Sequence, residues 1–182
     1  GRDLTFFFDD WQLILVPEAL APHNLLNPHN GQLIAMPRVI YGVLLDLFGM
    51  TSQLPFRVIN VAAASTCALL LYFFIRRRIE PILALVLLLP VLVLGVAWET
   101  LLLSLSMNFL LGLAAGLGML LVLESKAAKV DLAASLLLFI SLACGGIGLA
   151  FVAAAAADVL TRRDPRRFWI PVVPFVLIGL WY

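Results

Sequence analysis

Two adjacent carboxylates, Asp9 and Asp10, follow Phe6-Phe7-Phe8 and precede Trp11. A carboxylate at the edge of a membrane is expensive to keep there and is generally retained for function. Either acid could accept a proton from an acceptor hydroxyl as a general base, or the pair could help to hold a divalent cation near phosphate. The plainer alternative is a solvated loop start or a helix cap. Further on, the triplet Pro-His-Asn occurs twice, at Pro22-His23-Asn24 and Pro28-His29-Asn30. Histidine can serve as acid, base or metal ligand. Two histidines six residues apart in a loop fit no standard metal spacing, however, and Asn and Pro build turns readily. Glu99 follows Trp98 at the end of an apolar run. It either faces the same aqueous pocket as Asp9 and Asp10 or ends a helix in water. Arg38 and Arg57 suit a phosphate or pyrophosphate group, which guanidinium grips bidentately. The alternatives for them are pairing with Asp46 or Glu99, or with lipid phosphate.

These residues need elements to position them. Residues 1–32 are polar and broken by Pro17, Pro22 and Pro28, which predicts irregular loop with short helical pieces. A helix is expected over 37–50, opened by Pro37. At roughly 20 Å it is too short to span a bilayer, and Arg38 and Asp46 among apolar residues suit an interfacial helix. Apolar runs then predict spans near 54–75, 81–98 and 104–123. Residues 131–160 as one helix would measure roughly 45 Å, well beyond a hydrocarbon core. The glycines of Cys144-Gly145-Gly146-Ile147-Gly148 permit a break into 131–145 and 147–160, and that hairpin is the expectation. A last span runs over 168–182. The expected organisation is therefore all-α: an external loop with an interfacial helix over 1–53, and a polytopic transmembrane bundle of about six spans over 54–182.

Composition points the same way. Of 182 residues, 63% are hydrophobic and 13% charged, and mean hydropathy is +1.07. A soluble domain of this length cannot hide so much apolar surface. Within lipid every backbone polar group must pair internally, which favours helices for long Leu- and Ala-rich runs. The net charge of +1 gives no basis for a nucleic-acid partner. The positives are grouped at the ends of apolar runs, as Arg76-Arg77-Arg78 and as Arg162, Arg163, Arg166 and Arg167. Positive-inside bias puts these, with Lys126 and Lys129, in the cytoplasm, and residues 1–53 and Glu99 outside. Cys67 and Cys144 lie in apolar runs and form no disulfide framework. The chain opens on Gly1-Arg2 without an initiator Met and closes within an apolar run, so a fragment of a longer membrane protein is expected. No P-loop, GxSxG, HExxH or CxxC is present.

Several of these segments together resemble a family. Phe7-Phe8-Asp9-Asp10-Trp11, Ala21-Pro22-His23-Asn24, Pro28-His29-Asn30-Gly31-Gln32-Leu33, Pro37 and Tyr41 are similar to the first external loop of GT-C-type membrane glycosyltransferases, above all a bacterial, actinobacterial group. Ala97-Trp98-Glu99 and Leu142 to Leu149 are similar to that group as well. The resemblance implies a bacterial plasma-membrane protein of the cell envelope, with a span before this loop. It implies hexosyl or pentosyl transfer from a polyprenyl-phosphate-linked sugar on the extracytoplasmic side. An aspartate of the loop, Asp10 or Asp9, would be catalytic. His23, His29, Asn30, Arg38, Arg57 and Glu99 would serve the substrate, and a divalent cation, if used, would sit on Asp9 and Asp10. Gly31 and Gln32 stand where the group often carries Glu and His. A transporter or channel subunit and a non-catalytic membrane scaffold are the competing readings. Charges crowd the outer face and are nearly absent from the middles of the runs, and the glycine break at 144–148 is the feature that suits transport.

Overall fold

The computed structural model describes residues 6, 10–15, 20–93, 106–124 and 128–181. Asp9, Trp98, Glu99 and Lys126 lie outside the described residues. The described chain is all-α. Its helices are α1 (Asp10–Ile14), α2 (Pro22–Leu25), α3 (Ala35–Phe48), α4 (Leu54–Arg76), α5 (Pro81–Val93), α6 (Met107–Leu123), α7 (Ala128–Ala143), α8 (Ile147–Arg162) and α9 (Trp169–Trp181), with a 3₁₀ turn at Pro165–Arg167.

Proline and glycine punctuate these elements as backbone sterics require. Pro37 falls in the first turn of α3, which begins two residues earlier than expected and ends at Phe48, capped by Gly49, instead of running to Met50. Pro55 sits in the first turn of α4, and Pro81 opens α5. The segment 131–160 is two helices, separated at Cys144, Gly145 and Gly146. Gly145 has φ +129, a conformation that L side chains rarely adopt.

Charge is confined to the helix ends. No Asp, Glu, Lys or Arg occurs in 58–75, 81–93, 107–123, 132–157 or 169–181. The outward faces are apolar too: Ile82, Leu85 and Leu89 on α5 and Val172, Phe175 and Leu180 on α9 are exposed. Among the described residues, one helix, α4, is both long enough and apolar enough to cross a membrane. The described lengths of α5 to α9 fall short of that measure, so α4 is the one of about six expected spans that meets it among the described residues.

Polar ties show that the helices alternate between two ends. At one end, Met107 of α6 packs with Phe56 of α4 and Tyr41 of α3. The α7–α8 turn meets Gln32 there, and Trp181 at the end of α9 donates to the carbonyl of Leu26 at 2.7 Å. At the other end, three arginines gather on the C-terminus of α6. Arg77 donates to the Leu121 carbonyl at 3.1 Å, and Arg167 donates to that of Leu123 at 3.3 Å. Arg77 and Arg78 both pair with Glu124, and Arg167 pairs with Asp131. The last carbonyls of a helix have no partner within it, and cations there also complement its dipole. Burial alone would raise the pKa of the Glu124 carboxyl. Hydrogen bonds and charge from Arg77 and Arg78 outweigh burial and hold it below the usual range.

Between the two ends α6 is the axis. Gly112 and Gly116 make it thin enough for Ile147 and Phe151 of α8 to press against it, as small residues do between membrane helices. Ser141 of α7 donates to the Gly112 carbonyl at 2.8 Å. Leu117, Met119 and Leu123 then close a core with Leu138, Phe151 and Ile170. Gly148 is the tightest contact with backbone: a Cβ there would lie 2.5 Å from Cα of Leu142. Gly148→Ala should therefore destabilise the protein by about 1–3 kcal/mol. Gly179→Ala, with nothing within 4 Å, should stay within about 0.5 kcal/mol. Thermal unfolding of the two variants in detergent checks the contrast.

Candidate functional site

The polar N-terminal segment folds onto the end of the bundle that carries no arginine cluster. Its anchor is α3. Arg38 and Tyr41 are three residues apart on that helix, so they share one face. Both are buried, and each holds a different piece of the segment.

Tyr41 holds α1. Its hydroxyl donates to Oδ1 of Asp10 at 2.5 Å, and both residues are almost fully buried. A phenol O–H and a carboxylate each cost free energy when buried without a partner, so each meets the other's requirement. Aromatic rings fix the pair. Tyr41 lies 4.9 Å from Phe56, and Phe6 meets Phe56 edge-on at 5.3 Å and Trp11 at 6.1 Å. Leu13, Ile34, Leu44 and Met107 complete a small core beneath them.

Arg38 holds α2 and the residues after it. Its Nη1 donates to the backbone carbonyls of Asn24 and Asn27. Burial pushes its pKa below the ordinary arginine value, and the guanidinium remains charged. Arg38, a phosphate candidate in the sequence, uses Nη1 here to secure the segment from Asn24 to Asn27. Arg57, half-buried at the start of α4, donates to Gln53 Oε1 at 2.9 Å. Asp46 is exposed on α3.

The second Pro-His-Asn triplet forms a tight turn. His29 and Gln32 exchange two backbone hydrogen bonds of 2.9 Å, and φ is +50 at Asn30 and +70 at Gly31. Two successive positive φ values define the turn type that favours Asn-Gly. The backbone of Asn30, a residue expected at the substrate, shapes this turn. His29 is half-buried with its ring beside Asn30 (Nε2 to Nδ2, 3.4 Å), and His23 is exposed on α2.

The turn delivers Gln32 to the α7–α8 connection, where the Gly146 amide donates to Gln32 Oε1 at 3.2 Å. Two sequence segments 114 residues apart therefore meet. They border a groove of about 310 Å³ that includes Leu33, Gly145, Phe175 and Trp181. A second groove, of about 380 Å³, lies between α3, α4, α6 and α7; Met36, Ile40, Leu70, Leu111, Ala114 and Leu137 make its lining apolar.

The described residues thus gather Asp10, Arg38, the Asn24–Asn30 loop and Gln32 around the N-terminal half of α3. Arg57 sits at the start of the adjacent α4. Asp9 and Glu99 fall outside the described residues. No group of three or more His, Cys, Asp or Glu among the described residues could hold a metal ion. Sequence reading gave no role to Tyr41 as the partner of Asp10 or to Gln32 as the partner of Gly146. The available signals were the helical spacing of Arg38 and Tyr41 and the Asn-Gly pair that aims Gln32.

Arg38→Met keeps the buried stem but no donor. It should cost about 1.5–3 kcal/mol, the range for hydrogen bonds from a charged group, and raise amide hydrogen exchange over residues 22–30 more than over α6.

Comparison with known proteins gives no relative: no family model, no curated protein and no solved structure matches the chain.

Proposed function

We propose that this chain is part of an integral membrane glycosyltransferase of GT-C type. On this reading its helices cross a bacterial plasma membrane about six times, with residues 1–53 on the extracytoplasmic side. It transfers a hexose or pentose from a polyprenyl-phosphate donor to an acceptor hydroxyl.

The observation that carries the membrane part is the distribution of charge. Stretches of 58–75, 107–123 and 132–157 hold no charged residue, the outward helix faces are apolar, and the arginine clusters share the end opposite the polar segment. In water such a surface would drive association. Against lipid it requires nothing further, and the arginines would mark the cytoplasmic side. The α7–α8 break lies beside Gln32 at the loop end of the bundle, whereas a transporter places its broken helices near the bilayer midplane.

For the chemistry, Asp10 is the candidate base. The acceptor's proton would pass to its carboxylate as the acceptor oxygen bonds to the anomeric carbon. The bond from that carbon to phosphate would break, and polyprenyl phosphate would leave with the bonding pair. The apolar groove beneath α3 has the lining that an isoprenoid chain needs, and α3, short and bordered by polar loop, suits an interfacial position. The burial of Asp10 under Tyr41 favours a second reading, in which the carboxylate only fastens α1 to a non-catalytic scaffold.

Orientation is tested with single cysteines at exposed positions, Asp46→Cys and Arg163→Cys, in intact bacteria. The native Cys67 and Cys144 are buried. A membrane-impermeant maleimide should label position 46 at once and position 163 only after permeabilisation; the reverse pattern would sink the topology. Activity is tested on the intact protein with radiolabelled polyprenyl-phosphate hexoses and pentoses, with and without EDTA. Asp10→Asn should slow transfer at least ~100-fold, the scale of a lost general base. A variant with normal transfer but a lower melting temperature would make Asp10 structural only, and absence of transfer by the intact wild type with every donor would support the scaffold.

A further inference from the structure

We propose that Tyr41 is a positioning residue for Asp10: its hydroxyl sets the orientation in which that carboxylate meets the acceptor. The inference rests on the reading of Asp10 as the base and adds a residue to it.

The geometry is specific. Asp10 opens α1, a helix of five residues, too short to hold its own shape in water. Whatever orients its carboxylate must come from elsewhere in the fold. Tyr41 comes from the middle of α3, a helix of 14 residues, and is 1% exposed. Its ring is held by Phe56, which is fully buried and belongs to α4. The hydroxyl is thus carried on a rigid two-helix support and reaches Asp10 Oδ1 at 2.5 Å. A carboxylate on a short segment, oriented by a donor on a long one, is how a reacting group is kept within the small tolerance that proton transfer demands.

The same face of α3 sets a second distance. Arg38, one turn earlier, fastens the carbonyls of Asn24 and Asn27. The spacing between the Asp10 carboxylate and the Pro-His-Asn loop is therefore fixed by one turn of one helix. Anything bound between them would meet both at a constant separation. Tyr41 would act on the reaction only through Asp10; it donates no proton to the transferred sugar.

The test uses the full-length protein and whichever polyprenyl-phosphate sugar of the panel the wild type consumes. Tyr41→Phe keeps the ring and removes the donor. It should lower kcat by ~10- to 100-fold, the scale of a slightly misplaced reacting group, with KM changed less than about twofold and the melting temperature within a few degrees. Phe56→Leu keeps the hydroxyl and loosens the support, so it should lower the melting temperature with a smaller loss of kcat. The double variant Asp10→Asn/Tyr41→Phe should be no slower than Asp10→Asn alone, because a residue acting through Asp10 has nothing to add once it is gone. Unchanged kcat in Tyr41→Phe, or full additivity in the double variant, overturns the positioning role while leaving Asp10 as base. Unchanged transfer in Asp10→Asn overturns the base itself, and the role of Tyr41 with it.

Discussion

The confinement of charge to the ends of the helices is the constraint from which the rest of this structure follows. With charge absent along α5, α6 and α9 and between Arg57 and Arg76 on α4, side chains offer few polar partners for exposed backbone. Each helix must satisfy its own amides along its length. Only at the ends do carbonyls and amides need other groups, and the charged and polar side chains are found there. Arg77 and Arg167 serve the last carbonyls of α6, and Arg38 serves the loop carbonyls at the other end. An arginine reaches carbonyls on a neighbouring element because its donors sit at the end of a long apolar stem.

That division makes the two ends different in kind. The arginine-rich end is closed by ion pairs: Glu124 with two arginines, Asp131 with Arg167 and Asp158 with Arg162. Among the described residues, the contacts at the opposite end include Tyr41 with Asp10, Gln32 with Gly146 and Trp181 with Leu26. Asp10 accepts from the Tyr41 hydroxyl beside the Phe6, Trp11 and Phe56 rings, with α3 as its platform, so its carboxylate is oriented by a donor on a longer element. Preorganisation of this kind needs a rigid platform more than it needs many polar groups. Phe56 and Met107, both fully buried at the starts of α4 and α6, supply it.

The tight axis of the bundle serves the same end at a distance. Gly112 and Gly116 let α8 approach α6, and Ser141 fixes the level at which α7 meets it. The α7–α8 turn is thereby brought to the height of Gln32. Without small residues on α6 the turn would sit farther out, and the loop would lose the amide that Gln32 accepts. Packing in the apolar middle thus determines a polar contact at the edge.

By itself the sequence determined what depends on local chemistry and on one-dimensional pattern. Long apolar runs, together with proline and glycine at their borders, specify helices and most of their limits, because proline lacks a donor and glycine tolerates backbone angles that other residues do not. The glycines at 144–148 marked a break that α7 and α8 have, and the placement of arginines marked which helix ends lie together. Only the tertiary structure decided which side chains meet. That Tyr41 faces Asp10, that Arg38 closes on carbonyls and that Gln32 reaches Gly146 depend on α3 lying across the end of the bundle. Such contacts join residues 31, 11 and 114 positions apart. No periodicity encodes them, because they follow from how apolar faces pack, and close packing is a property of the assembled core and not of any one helix.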